Sequence, residues 1–167
     1  MIIRDERTGD EAGIRALTRD AFAGHSHSDG SEPDIIDRLR TAGMLTLSLV
    51  AEKDGEIIAH LAMSPVSIED GTADWYGLGP LSVRPGEQLK GNGSRLVREA
   101  LRRLEQRAAG GCVVAGDPDY YGRFGFAHTD VLELPGMPPQ YFQALVLHGG
   151  MPSGIVSYHA AFGGDAA

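Results

Sequence analysis

A single cysteine, Cys112, rules out an internal disulfide and any cysteine-based metal cluster. It lies in "GCVVAG" and reads as a small core hydrophobe of a buried strand rather than as a reactive thiol. Aromatic residues are scarce at 7%, with one tryptophan, Trp75. No apolar run is long enough to span a bilayer, and the opening "MIIRDERTGD" lacks a signal-peptide core. A cytoplasmic protein is therefore expected. Positive charge is also in short supply: 15 Lys and Arg stand against 23 Asp and Glu, a net charge of −8. That balance argues against a broad nucleic-acid footprint, which depends on neutralising phosphates.

What is present is a chain of 167 residues, 42% of them apolar, enough for one domain with a sizeable core. No repeat or linker divides it. "IIRDE" predicts a strand. Thr8 and Glu11 have capping-box spacing before a helix with Ile14, Leu17 and Ala21 on one face, beside Phe22. The polar loop "GHSHSDGSE" follows. Ser31 and Asp34 then repeat the spacing before a helix carrying Ile35, Ile36 and Leu39, with Pro33 in its first turn and Gly43 at its end.

Beyond Gly43 the period changes to two. "KDGE" is a hairpin signal between two strands. "WYGLGPLSV" is a further strand, bulged or splayed where Pro80 lacks a donor. A long helix follows with Leu96, Val97, Ala100, Leu101 and Leu104 inward. "GCVVAGD" is then a strand, "PDYYGRFG" a short helix or turn, and "FAHTDVLEL" and "YFQALVLH" two strands. The tail "MPSGIVSYHAAFGGDAA" reads mostly as loop. This order predicts an α/β fold with a mixed, twisted sheet and helices packed on its faces.

Seven basic and three acidic residues lie between Arg84 and Arg107. Such a local stripe fits one small anionic ligand, or a solvated helix face. Within it, "RPGEQLKGNGSRLVREAL" sets Gly91 and Gly93 directly before a helix. Either they tighten a turn, or they clear the backbone so that an anion can sit on the helix's first amides. The nucleotide-loop and dinucleotide fingerprints are both absent.

Two motifs carry a resemblance. Gln88, Gly91 and Gly93 fit Gln/Arg-x-x-Gly-x-Gly/Ala after a strand ending in Leu81 and Val83, and Tyr120, Tyr121, Gly125 and Phe126 fit Phe/Tyr-Tyr-x-x-x-Gly-Phe. In these segments the chain resembles the GNAT superfamily of N-acetyltransferases, and "GDPDYYGRFGF" is similar to a bacterial subgroup, the YhbS-like proteins. The resemblance runs from about residue 2 to 147, with 148–167 as a C-terminal extension of a single domain spanning 1–167. It implies a GNAT-like sheet of about seven strands with helices on both faces and splayed fourth and fifth strands. The implied activity is transfer of an acetyl group from acetyl-CoA to a primary amine, on a small molecule or a peptide, by direct attack in a ternary complex.

By the same resemblance the donor's pyrophosphate rests on the amides from Gln88 through Leu89, Lys90, Gly91, Asn92 and Gly93 to Ser94. Its pantetheine arm runs along Leu81, Ser82 and Val83. Tyr121 acts as the acid toward the departing sulfur. Asn92 and Leu89 depart from the family pattern, the former usually branched and apolar, the latter small or basic. Some relatives use a strand glutamate as base; here that position is Gly77. His60, in phase with Ile58 and Ala62, reads as a core or cleft-wall histidine, with a proton relay as the second reading. Asp117 is placed to orient a water or the substrate ammonium, and a water chain can also serve as base.

The resemblance also implies that the loop with His25, His27, Asp29 and Glu32 lies against the acceptor, although a solvated polar loop explains it equally, and Trp75 in "DWYG" is expected to wall the acceptor pocket or to cap a strand. The loop lacks the separated ligand set of a closed zinc site, and no metal is expected. A non-catalytic acyl-CoA sensor is the alternative function, and a charged tRNA acceptor is disfavoured by the net charge. Relatives are often dimers, and the tail could pack on a partner or on its own domain.

Overall fold

The computed structural model describes residues 1–163; the last four positions of the expected extension lie outside the described residues. The elements run β1 (Ile2–Asp5), α1 (Glu11–Phe22), α2 (Glu32–Thr41), β2 (Leu47–Lys53), β3 (Glu56–Ile68), β4 (Trp75–Val83), α3 (Asn92–Gln106), β5 (Gly111–Ala115), α4 (Pro118–Tyr121), β6 (Leu132–Glu133), β7 (Phe142–Val146) and β8 (Gly154–Tyr158). This is an α/β fold with both parallel and antiparallel strand pairs. The chain forms two compact units, one of residues 1–63 and 79–100, the other of residues 64–78 and 101 onward, so β3, β4 and α3 lend residues to both.

In the first unit β1, β2 and β3 pair antiparallel, from Ile2↔Glu52 to Asp5↔Leu49 and from Leu47↔Met63 to Lys53↔Glu56. Asp54 and Gly55, at φ 53° and 79°, form the tight turn between β2 and β3, the geometry the Asp-Gly pair favours. Ile14 of α1 and Ile36 of α2 close over Val50, with Ile57 beside them. Each such side chain, fully buried, stabilises the fold by about 1.5–3 kcal/mol. The start of α1 differs from the expected Thr8 cap. The helix begins at Glu11 with Asp10 at its N-cap. Asp10 instead accepts the Arg7 N–H at 2.7 Å and an Arg4 guanidinium N–H at 2.7 Å, and Glu11 accepts the Gly9 N–H at 2.8 Å.

In the second unit β4 pairs parallel with β5 from Trp75↔Gly111 to Leu78↔Val114. That register ends beside Gly79, at φ 134°, and Pro80, which has no N–H to give. β5 pairs antiparallel with β7, and the end of β3 pairs antiparallel with β8. Val66, Ile68, Trp75, Val113, Leu132, Phe142 and Val156 form the core here. The five apolar positions read as the inner face of α3 are all buried.

Two strand expectations need correction. "FAHTDVLEL" is not one strand: Ala127 makes an isolated bridge to Ala144, His128 turns to Asp130 at 2.9 Å, and only Leu132–Glu133 is extended. The tail is not mostly loop, because "GIVSY" forms β8 against Val66, Ser67 and Ile68, bringing the strands to eight among the described residues.

Candidate active site

The turn between β4 and α3 is held open by its own side chains. Gln88 donates to the Val83 carbonyl at 3.1 Å, and Asn92 donates to the Glu87 carbonyl at 3.0 Å. Asn92, unusual for the family pattern, thus ties the start of α3 to the middle of the turn. Gly86, Leu89 and Gly91 take φ of 92°, 62° and 84°, the left-handed region that costs a residue with a Cβ roughly 1–2 kcal/mol. Leu89 bears that cost with a fully exposed side chain. At Gly91 a Cβ would meet only open space. α3 begins at Asn92, so Gly93 belongs to the helix's first turn rather than to the loop. The Arg95 N–H donates to the Gly91 carbonyl at 3.1 Å. Amides ahead of that bond, such as those of Asn92 and Gly93, have no intrahelical acceptor and sit at the positive end of the dipole. Lys90 is exposed and pairs loosely with Glu87 at 3.5 Å. Ser82 is 1% exposed and points inward, its hydroxyl donating to Thr18 at 3.3 Å, whereas Leu81 and Val83 are half-buried. Ser82 therefore has only its backbone to offer a ligand.

In the second unit α4 starts where Asp117 caps it, its carboxylate accepting the Asp119 N–H at 2.9 Å. That carboxylate was expected to orient a water or substrate; here it is exposed and anchors the short helix that carries Tyr121. The Tyr121 ring lies so close over Gly116 that a Cβ there would come within 2.6 Å of it. Tyr120 and Phe126 meet it edge-on at 4.9 and 5.9 Å. Burial, with smaller contributions from Tyr120 and Cys112, pushes the phenol of Tyr121 well above the usual tyrosine range. It therefore stays protonated and able to donate. Burial likewise pushes the Cys112 thiol far up, which fits its reading as a core residue.

Sequence reasoning missed the surroundings of Gly77. A Cβ there would lie 2.8 Å from Tyr158 Cε2, 3.1 Å from its Cζ and 3.2 Å from Val66 Cγ1. The hydroxyl end of the Tyr158 ring thus occupies the space a side chain would need. Both the Tyr158 hydroxyl and that of Ser64 are buried without a hydrogen-bond partner. The signal available in sequence was the alternation of "GIVSY", which marks a strand but not where it pairs.

Trp75 was expected to wall the acceptor pocket. It is instead 1% exposed and packed into the core. Its indole fills the space above Gly110 and Gly111, where a Cβ would clash with the ring. Glu32 is half-buried at the start of α2 and accepts the Ser28 hydroxyl at 2.5 Å, while Asp29 accepts that of Ser31 at 2.5 Å. The loop thus holds its shape through its own hydrogen bonds, and His25 rests against Phe22 at 6.0 Å. No cluster of three His, Cys, Asp or Glu among the described residues is placed to hold a metal.

His60 is fully buried, in line with its core reading, but it belongs to a polar chain. Its Nε2 lies 2.8 Å from Ser48 Oγ, which donates to Glu6 at 2.8 Å; Arg40 grips both Glu6 oxygens at 2.8 Å. Burial pulls the Glu6 carboxyl up, but the bonds from Arg40 and Ser48 outweigh it and leave it below the usual range. Burial pushes His60 down to about 4, with Glu6 opposing and Arg40 assisting. Between roughly pH 6.5 and 4 the unfolded chain holds a proton here that the folded chain refuses, so this contribution is complete above pH 6.5 and is lost as pH falls. The span corresponds to about 3 kcal/mol. Thermal melts should show wild type losing stability across this window more steeply than His60→Gln; equal slopes would refute the assignment.

These features, a strand, an open glycine turn on a helix start and a Tyr-Tyr-x-x-x-Gly-Phe segment, are matched by a family model. The model described as an acetyltransferase (GNAT) domain matches residues 3–129, and the chain belongs to this family. Among curated proteins it is 36% identical to the Uncharacterized N-acetyltransferase YhbS of Escherichia coli (strain K12), over 97% of this chain and 98% of that protein. Among solved structures it is similar to a GNAT family acetyltransferase from Brucella melitensis in complex with acetyl-CoA, at 47% identity and a TM-score of 0.86, covering 96% of this chain and 97% of that one. It is also similar to YhbS from Escherichia coli in complex with CoA, at 34% identity and a TM-score of 0.88, covering 99% and 93%.

Proposed function

We propose that this protein is an N-acetyltransferase that moves the acetyl group of acetyl-CoA onto a primary amine by direct attack in a ternary complex. The observation that carries this reading is the 47% identity, across nearly the whole chain, to a family member solved with acetyl-CoA. The turn fits the donor. Left-handed Gly91 leaves open space where a Cβ would stand, and the early amides of α3 suit a pyrophosphate. In this reading the backbone from Gln88 to Ser94 holds the pyrophosphate, and Leu81, Ser82 and Val83 pair with the pantetheine arm by backbone. A strand amide near Leu81 polarises the thioester carbonyl.

The acceptor nitrogen attacks the carbonyl carbon, a C–N bond forms and the C–S bond breaks. The sulfur takes the electron pair and the Tyr121 proton, while the nitrogen gives up its proton to water. Tyr121 regains a proton from solvent. Holding both reactants together supplies much of the rate. We read the described chain and its tail as one catalytic domain. A cytoplasmic location suits it, and no helix among the described residues is long and apolar enough to cross a membrane.

Two measurements test this reading: titration calorimetry with acetyl-CoA, and thiol release across a panel of primary amines. Wild type should bind acetyl-CoA and release thiol in an amine-dependent way. Gly91→Val, which forces a branched side chain into the left-handed φ of 84° at the start of α3, should weaken acetyl-CoA binding at least about tenfold. Binding without amine-dependent release would favour an acyl-CoA sensor. No binding by wild type would overturn the reading.

A further inference from the structure

The corner where β5 gives way to α4 is held by β7. Past Ala115↔Phe142 the next pair in the register is Gly116 and Tyr141. The Gly116 N–H donates to the Tyr141 carbonyl at 2.8 Å. The return bond does not form, because the Tyr141 N–H is taken by the Pro138 carbonyl at 3.0 Å in the 3-10 turn over Pro139–Tyr141. The Gly116 carbonyl is therefore left without a ladder donor. Gln143 supplies one from its side chain, its Nε2 donating to that carbonyl at 3.0 Å. Gln143 is 1% exposed, and its Oε1 has no hydrogen-bond partner. Burying an amide with its oxygen unpaired carries a cost that a leucine here would avoid. The bond to Gly116 is what the glutamine gives in return.

Gly116 is also the floor of Tyr121, whose Cε2 would lie 2.6 Å from a Cβ there. The next carbonyl along, that of Asp117, accepts the Tyr120 and Tyr121 N–H groups at 3.1 and 3.0 Å. Phe126, which meets the Tyr121 ring edge-on, is held by the same strand, since its neighbour Ala127 exchanges bonds of 3.1 and 2.8 Å with Ala144. We propose that Gln143 is a positioning residue for Tyr121. By tying the Gly116 carbonyl to β7 it fixes the floor on which the ring rests, and with it the direction in which the phenol aims its proton at the departing sulfur. Gln143 meets neither donor nor acceptor in this role and acts through Tyr121. Proton transfer needs hydrogen-bond reach between the two atoms, and a misplacement of about 1 Å can cost on the order of 10²-fold in rate. The inference rests on the acetyl-transfer reading above, with Tyr121 as its acid.

The test is a double-mutant cycle on the full chain, with acetyl-CoA and whichever primary amine releases most thiol. Gln143→Met keeps the length of the side chain and removes its donor. In the wild-type background it should slow single-turnover thiol release at least about tenfold, while Kd for acetyl-CoA and KM for the amine stay within about twofold. In the Tyr121→Phe background the same change should alter the rate less than about twofold, because the group it positions is already gone. Equal slowing in both backgrounds would mark a merely structural role and overturn the proposal, as would a Gln143→Met rate within about twofold of wild type. Gln143→Glu gives a second readout should the methionine variant fold poorly. Its carboxyl can donate only while neutral, and burial keeps a carboxyl neutral beyond its usual range. Its rate relative to wild type should fall at least about tenfold between about pH 6 and about pH 9; a level ratio would overturn the proposal. Wild type releasing no thiol with any amine would overturn the acetyl-transfer reading, and an unslowed Tyr121→Phe would remove the acid; either takes this inference with it. Wild-type turnover, a slow Tyr121→Phe and no coupling to Gln143 would overturn this inference alone.

Discussion

Tyr121→Phe should lower kcat for acetyl transfer by about 10²- to 10⁴-fold, the range for losing a positioned proton donor, while Kd for acetyl-CoA and Tm stay near wild type. The ring is fixed by packing rather than by its hydroxyl, lying close over Gly116 with Tyr120 and Phe126 edge-on. Phenylalanine keeps those contacts and removes only the donor. Burial holds the phenol well above the usual tyrosine range, so the wild-type group is neutral and carries the proton it would donate. Single-turnover thiol release, which isolates the chemical step from product release, is the measurement of choice. A kcat within a fewfold of wild type would remove Tyr121 from the mechanism.

The largest stability effect should come from Gly111→Ala. A Cβ there would lie 2.5 Å from Trp75 Cζ2 and 2.6 Å from the Leu145 carbonyl oxygen. The first obstacle is the wide ring of a core tryptophan, and the second is backbone held in the β5–β7 register. Overpacking of this kind costs about 1–3 kcal/mol and occasionally more. A loss of at least about 3 kcal/mol is expected by urea unfolding, because neither neighbour is the free end of a flexible side chain. Gly111→Ala combined with Trp75→Leu should recover only part of it, since the carbonyl stays. A midpoint indistinguishable from wild type would show that β5 can shift, and that Trp75 is less firmly seated than its burial implies.

Much of this molecule was legible before any coordinates. The helices declared themselves because Ile14 and Leu17, Ile35, Ile36 and Leu39, and the apolar series from Leu96 to Leu104 repeat at the period of a helix with one buried face. The hairpin after Lys53 was legible because Asp-Gly favours left-handed backbone. The glycine turn and the segment around Tyr121 were legible because both are local: their residues lie within a few positions of one another. What stayed hidden depended on long-range pairing. Nothing in "MPSGIVSYH" states that Tyr158 will sit opposite Val66, and nothing in Ser64 reveals that no partner will reach it. The polar chain from Arg40 through Glu6 and Ser48 to His60 joins α2, β2 and β3 by way of the residue just past β1 and was equally out of view. Trp75 misled because "DWYG" does not say which way the ring turns, whereas the decisive fact is the pair of glycines it covers beside the β4–β5 ladder.

β8 does more than deliver Tyr158. Along Val66, Ser67 and Ile68 its backbone occupies the amides and carbonyls of β3. Were the chain cut ahead of Gly154, those three residues would offer a bare, apolar template onto which a strand of another molecule could zip. The last strand thus covers a stretch of β3 whose backbone groups would otherwise stand open to pairing.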